Sequence, residues 1–168
     1  MSTAQGSGGG RRRVLVLCTG NSCRSQMAEG WIRHALAGSW LARSAGTRPA
    51  ARVHPLAVRV MREAGIDVST AAPKSVEGLL DEPWDLVVTV CDSARQACPV
   101  FPRPVETIHF SLADPAEAQG TEDERLAAFR GVRDAIRERL LPELERRTAL
   151  PAGQRPDAPP GPPEEGES

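Results

Sequence analysis

The sequence has no tyrosine and only one lysine, Lys74, and aromatic residues make up 4% of its 168 positions. Its other basic residues are all arginine, which with the abundant alanine, proline and glycine reflects codon usage rather than function. No apolar stretch approaches the ~20 residues that span a bilayer, and Met1 to Gly10 has no hydrophobic segment of the kind a signal peptide needs. A formal net charge of −1 gives neither nucleic acid nor an anionic membrane a reason to bind. Repeats are absent as well. The expectation is a soluble, cytoplasmic, monomeric protein without nucleic-acid or membrane partners.

Hydrophobic residues make up 40% of the chain, enough for one domain of ordinary size burying about two thirds of its unfolded surface. Residues 1–11, rich in Gly, Ser and Thr and ending in arginine, read as a mobile tail, and residues 150–168, dominated by Pro and acidic residues, as a disordered one. The folded domain is expected over residues 12–149.

Within it, Val14 to Leu17 is an unbroken apolar run ending at Cys18, as in a strand buried on both faces of a parallel sheet. Met27, Trp31, Ala35 and Leu36 follow at helical spacing, with Gly38 as the expected C-cap. Strand, short loop, helix is an arrangement in which loop N–H groups and the helix N-terminus form an anion cradle. Arg24 adds a bidentate donor suited to a tetrahedral oxyanion. In that cradle Cys18 would meet a positive potential favouring its thiolate, so one loop would bind an oxyanion and present a nucleophile to it.

Trp40 to Ser44 predicts a second strand, completing a right-handed βαβ unit, with a loop from Ser44 to Pro49. Pro55 opens a helix whose Leu56, Val60, Met61 and Ala64 line one face before Gly65 stops it. A short helix is expected over Ser75 to Leu80. Asp85 to Val90 is the second strongly apolar strand, and it too delivers a cysteine, Cys91, at its carboxyl end, where open α/β sheets place their sites. Glu106 to Phe110 predicts a fourth strand and Ser111 to Pro115 a loop. Thr121 and Glu124 form a capping box for a helix carrying Leu126, Phe129, Val132, Ile136 and Leu140. His34, His54 and His109, with no cysteine or second histidine at ligand spacing, read as structural or solvated.

The four cysteines, Cys18, Cys23, Cys91 and Cys98, could form disulfides, a metal site or a set of working thiols. A reducing cytoplasm argues against permanent disulfides, and the spacings lack the two-residue knuckles of common zinc sites, which favours working thiols. Were residues 91–98 one helix, seven rises of 1.5 Å would separate Cys91 from Cys98 by about 10 Å, beyond the ~7 Å limit for a disulfide. The pair is therefore either two unrelated residues on a rigid helix or the ends of a segment that bends when oxidised.

Cys18-Thr-Gly-Asn-Ser-Cys-Arg24-Ser25-Gln-Met-Ala-Glu-Gly, with Val88-Thr-Val-Cys91, Cys98-Pro99 and Asp114-Pro115, resembles the thioredoxin-coupled arsenate reductases, which share a fold with low-molecular-weight protein tyrosine phosphatases. The match runs from about Val14 to Leu140. It implies an α/β, three-layer αβα fold with a four-stranded parallel sheet in the order 2-1-3-4. It further implies Cys18 as nucleophile and Thr19, Gly20, Asn21, Ser22, Cys23, Arg24 and Ser25 as the oxyanion-binding loop. Within that loop Ser25 would hydrogen-bond the thiolate and Asn21 would brace the backbone, whereas the Cys23 thiol has no required role and is expected to pack.

Asp114 would be the general acid, and Cys91 and Cys98 the resolving pair of a three-cysteine relay that reduces arsenate to arsenite for detoxification. Thioredoxin would be the external reductant, with no tightly bound cofactor and with phosphate or sulfate as substrate analogues. The alternative implied by the same fold is a phosphatase using Cys18, Arg24 and Asp114 alone. Phosphatases usually carry an aromatic residue after the Asp-Pro pair, where this chain has Ala116. Some relatives bind potassium through residues matching Asn21, Glu29 and Ser44 plus a Thr and an Asp; those last two align with Ala72 and Lys74, so the Lys74 ammonium is expected to replace the cation.

Overall fold

The computed structural model describes residues 10–148; both predicted tails lie mainly outside them. Four strands, β1 (Arg12–Cys18), β2 (Trp40–Gly46), β3 (Leu86–Thr89) and β4 (Glu106–His109), form one parallel sheet in the order β2-β1-β3-β4. This is the expected 2-1-3-4 order. β1 lies centrally, with Val14 opposite both Ala42 and Leu86. Val14 to Leu17 and Leu86 to Thr89 are buried without interruption. Successive strand residues face opposite ways, so continuous burial means that both faces of the central pair are covered.

The helices are α1 (Arg24–Ala35), α2 (Pro55–Glu63), α3 (Asp92–Gln96), α4 (Glu122–Ala135) and α5 (Leu141–Thr148), with 3-10 turns at Val76–Leu79 and Pro115–Glu117. Pro55 starts α2 as expected, and the His54 ring caps it by accepting from the Leu56 N–H at 3.1 Å. Gly65, at φ +83°, ends that segment. Thr121 and Glu124 form the anticipated capping box.

Gly38 is not the C-cap of α1. The helix ends at Ala35, with Leu36 donating back to the Ile32 carbonyl, and Gly38 lies in the following turn without a left-handed backbone. β2 runs two residues past Ser44, to Gly46, whereas β3 and β4 are shorter than the apolar runs that mark them. The long helical pattern from Thr121 is continuous through a π turn at Ile136–Leu140, where the Leu141 N–H bonds back to the Ile136 carbonyl. Pro142 follows at once; lacking an N–H and crowding the preceding turn, it gives the widened turn a physical cause. Trp31 and Trp40 fix this C-terminal layer by donating their indole N–H groups to the Arg133 and Leu144 carbonyls at 3.1 and 3.2 Å. Among the described residues no helix is long and apolar enough to cross a membrane.

Candidate active site

The end of β1 runs directly into the loop Thr19 to Cys23 and then α1, so the Cys18 thiol sits at the carboxyl edge of the sheet, 2% exposed. A neighbouring segment shapes this loop. The backbone N–H groups of Thr47, Arg48, Ala50 and His54 donate to the carbonyls of Cys18, Thr19, Gly20 and Ser22 at 2.8–3.2 Å. With these four carbonyls engaged by the 47–54 segment, they do not oppose an anion in the loop, as an anion cradle requires. Gly46 permits the close approach: a Cβ there would lie 2.5 Å from the Thr19 carbonyl oxygen and 3.1 Å from the Asn21 nitrogen.

Two donors converge on the Cys18 sulfur. The Asn21 N–H lies 3.2 Å from Cys18 Sγ and the Ser25 hydroxyl 2.8 Å. The direction of the Ser25 bond follows from its surroundings. Asn21, fully buried at φ +52°, uses both side-chain N–H groups as donors, to Ser25 Oγ at 2.8 Å and Ser44 Oγ at 2.9 Å. Each serine oxygen thus accepts from Asn21 and keeps its own proton to give away. Ser44 gives it to Glu29 Oε1 at 2.5 Å, and Ser25 gives it to the sulfur. The Asn21 carbonyl oxygen is engaged too, accepting from Gln26 Nε2 at 3.1 Å and from the Lys74 backbone N–H at 2.9 Å. Asn tolerates the left-handed backbone better than most residues, which joins its conformational and hydrogen-bonding roles.

Arg24 begins α1. It donates from Nη1 to the Leu112 carbonyl at 3.1 Å and holds Nη2 3.5 Å from Asp114 Oδ2, while its Nε is buried without a hydrogen-bond partner. Asp114 is fixed through its other oxygen, which accepts from the Ala116 N–H at 3.0 Å and starts the Pro115–Glu117 turn. The acid loop and the cysteine loop are thus connected through one guanidinium.

Cys91 lies two residues beyond β3 and caps α3, accepting from the Ala94 N–H at 3.4 Å. Its sulfur is also 3.4 Å from Thr19 Oγ1, the residue after Cys18, so the sheet brings the second cysteine against the first cysteine's loop. α3 spans only Asp92–Gln96, with Cys98 beyond its end, so residues 91–98 are not one continuous helix. All four cysteines are free thiols. Burial raises the pKa of half-buried Cys98 and, as the dominant cause, pushes Cys23 up to about 12. The Cys23 side chain is buried and packs into the core, as anticipated.

Lys74 Nζ lies 3.9 Å from Glu29 Oε1, and the other oxygen of that carboxylate accepts from Arg33 at 2.9 Å. Desolvation lowers the Lys74 pKa, against the pull of Glu29. The sequence reading named Asn21, Glu29, Ser44 and Lys74. It missed Gln26, Gly46, the carbonyl-binding segment at 47–54 and the Leu112 carbonyl. Gln26 lies within the quoted motif and was within reach; the others depend on tertiary approach, for which one sequence carries no signal.

A thiol at a strand end, met by directed donors, a part-buried guanidinium and a loop carboxylate, is the arrangement expected of a cysteine-centred oxyanion site on a parallel α/β sheet. Residues 13–149 match the family model described as low molecular weight phosphotyrosine protein phosphatase, and the chain belongs to that family. Its relatives there include an arsenate reductase of Halalkalibacterium halodurans, 45% identical over 130 residues, covering 77% of this chain and 93% of the relative. Among solved structures it is similar to an arsenate reductase in its phosphate-binding state, with TM-score 0.63, 31% identity and coverage of 80% and 97%. A thioredoxin-dependent arsenate reductase of Corynebacterium glutamicum superposes with TM-score 0.59 at 28% identity, over 80% of this chain and 62% of that one.

Proposed function

We propose that the protein reduces arsenate to arsenite by a three-cysteine relay, recycled by thioredoxin in the reducing cytoplasm. The observation that carries this reading is Cys91 held against Thr19 of the nucleophile's own loop. A phosphatase has no use for that placement. Arsenate, or phosphate as its analogue, would be held by the loop N–H groups and Arg24, whose unpartnered Nε would gain an acceptor. Cys18 thiolate attacks As(V), and a hydroxide departs as water with the proton from Asp114. Cys91 then attacks Cys18 Sγ. The As–S bond breaks with its electron pair passing to arsenic, which leaves as arsenite, and a Cys18–Cys91 disulfide remains. Cys98 attacks Cys91, Cys18 departs as thiolate, and the resulting Cys91–Cys98 disulfide is reduced by an external dithiol.

The relatives named arsenate reductase, and the Corynebacterium neighbour named thioredoxin-dependent, support this assignment. Cys18, Arg24 and Asp114 also suffice for slow phosphate-ester hydrolysis, which the family match favours as a side activity. The two activities separate by mutation. Cys91→Ser is expected to abolish multiple-turnover arsenate reduction while leaving hydrolysis of a small aryl phosphate within about threefold of wild type. Equal loss of both would make Cys91 a structural residue and sink the relay.

A potassium ion does not fit beside Glu29. Ser44 already donates to that carboxylate, the Asn21 carbonyl oxygen is saturated by two donors, and an ammonium stands 3.9 Å from Glu29. Lys74 takes the role of the cation in this account. Exchanging sodium for potassium at constant ionic strength should leave kcat and KM for arsenate unchanged; a clear stimulation would show that Lys74 does not substitute for the ion.

A further inference from the structure

The segment that must unwind in the relay is tied to the sheet by a contact the relay does not use. Asp92 is the first residue of α3 and follows Cys91. On β4, His109 stands opposite Thr89 of β3, and its ring bridges outward from there. Nδ1 lies 2.7 Å from Thr89 Oγ1 and Nε2 lies 3.2 Å from Asp92 Oδ1. A carboxylate can only accept, so Nε2 carries the proton directed at Asp92. Nδ1 pairs with a threonine that is fully buried in the central sheet. The ring is therefore anchored at one edge to the rigid sheet and at the other to the first turn of α3.

We propose that His109 is a positioning residue that latches α3 in its helical, dithiol form through Asp92 and so sets the oxidising strength of the Cys91–Cys98 couple. The proposal rests on the relay reading above. In the dithiol form Cys91 caps α3 through its sulfur, which accepts from the Ala94 N–H at 3.4 Å, and Cys98 lies two residues past the end of the helix, so a disulfide between them must draw that sulfur away from the cap. Closing the disulfide unwinds the turn that carries Asp92 and separates it from the ring. A contact made only in the dithiol form stabilises that form. When the Cys91–Cys98 disulfide takes two electrons and two protons from an external dithiol, whose own disulfide forms in exchange, re-forming the latch favours the reduction. His109 thus slows the closing of the internal disulfide and assists its removal.

Asp92 also sits at the N-terminal end of a short helix, where a negative charge is favourable by itself. A double-mutant cycle separates the two effects. In a Cys18→Ser background the Cys91–Cys98 couple is equilibrated with dithiothreitol buffers of graded composition, and the disulfide fraction is measured for the parent, His109→Ala, Asp92→Ala and the double variant. Each single change is expected to favour the disulfide about threefold, a potential about 14 mV more negative at about 30 mV per tenfold. The double variant should shift no further than either single one, and His109→Gln, whose amide can still donate to Asp92, should recover most of the difference.

Additive shifts would mean that Asp92 acts through the helix end alone, and no shift would mean that the contact stores nothing; either result overturns the latch. Should His109→Ala fail to fold, Asp92→Ala changes an exposed residue, and its lack of effect would be equally decisive. If the parent forms no Cys91–Cys98 disulfide in any buffer, the relay reading fails and the latch fails with it, an outcome visible before any variant is compared.

Discussion

Asn21 does three things with one side chain: it occupies the left-handed turn of the loop, saturates both of its N–H groups on Ser25 and Ser44, and receives Gln26 and the Lys74 backbone on its oxygen. In the proposed relay its effect on chemistry is indirect, through the orientation it imposes on Ser25. The account therefore predicts that Ser25→Ala lowers kcat/KM for arsenate about 10- to 100-fold, the range for losing a hydrogen bond to a charged group. Single-turnover rates would check it, and a change below twofold would show that the Asn21 N–H alone sustains the thiolate. Most of these residues were legible in the sequence because they fall in one contiguous motif whose chemistry is explicit: cysteine, arginine, serine. Gly46 was not. Nothing in Ser-Ala-Gly-Thr reveals that another loop's carbonyl passes 2.5 Å from where its Cβ would stand.

Between elements, the contacts that hold the scaffold are more ordinary and more exposed. Glu63 at the end of α2 accepts both Arg130 Nε and Nη2, at 2.9 and 2.7 Å, and Arg133 Nη1 at 2.9 Å, bracing α2 against α4. These hydrogen bonds, led by Arg130, hold its pKa down at about 2, from an ordinary 4.5. Because the side chain is 36% exposed, solvent screening reduces its contribution, and Glu63→Gln should cost about 0.5–1 kcal/mol at neutral pH. A depressed carboxylate pKa stabilises the fold above the unfolded value and loses that contribution as pH falls through the folded one. The stability difference between wild type and Glu63→Gln should accordingly shrink between pH 4.5 and about 2, as read by urea denaturation at several pH values. A difference constant across that range would mean that the brace is not ionic. At this scale the sequence served well where periodicity and caps are local, as at Pro55, Thr121 and Glu124. It served less well at boundaries. Gly38 suggested a helix end two residues too late, because the Leu36 to Ile32 bond had already closed the helix without a left-handed residue.

Across the whole molecule, the parallel sheet does the decisive work. β1 and β3 are neighbours in space though some 70 positions apart in sequence, and their adjacency sets Cys91 beside the Cys18 loop. Strand order and the cysteine pattern could both be anticipated through family resemblance. The side-by-side placement of the two loops, and the His109 bridge to Asp92, required the fold. In this account the site is one end of a path for electrons that begins outside the protein: dithiol to Cys91–Cys98, then Cys18, then arsenic. The most direct test couples arsenate to NADPH oxidation through thioredoxin and thioredoxin reductase, for wild type and for Cys98→Ser. Wild type should show sustained NADPH oxidation that depends on arsenate, and Cys98→Ser at most one arsenite per enzyme before it stops. Absence of arsenate-dependent oxidation in the wild type, or undiminished turnover in Cys98→Ser, would contradict the relay.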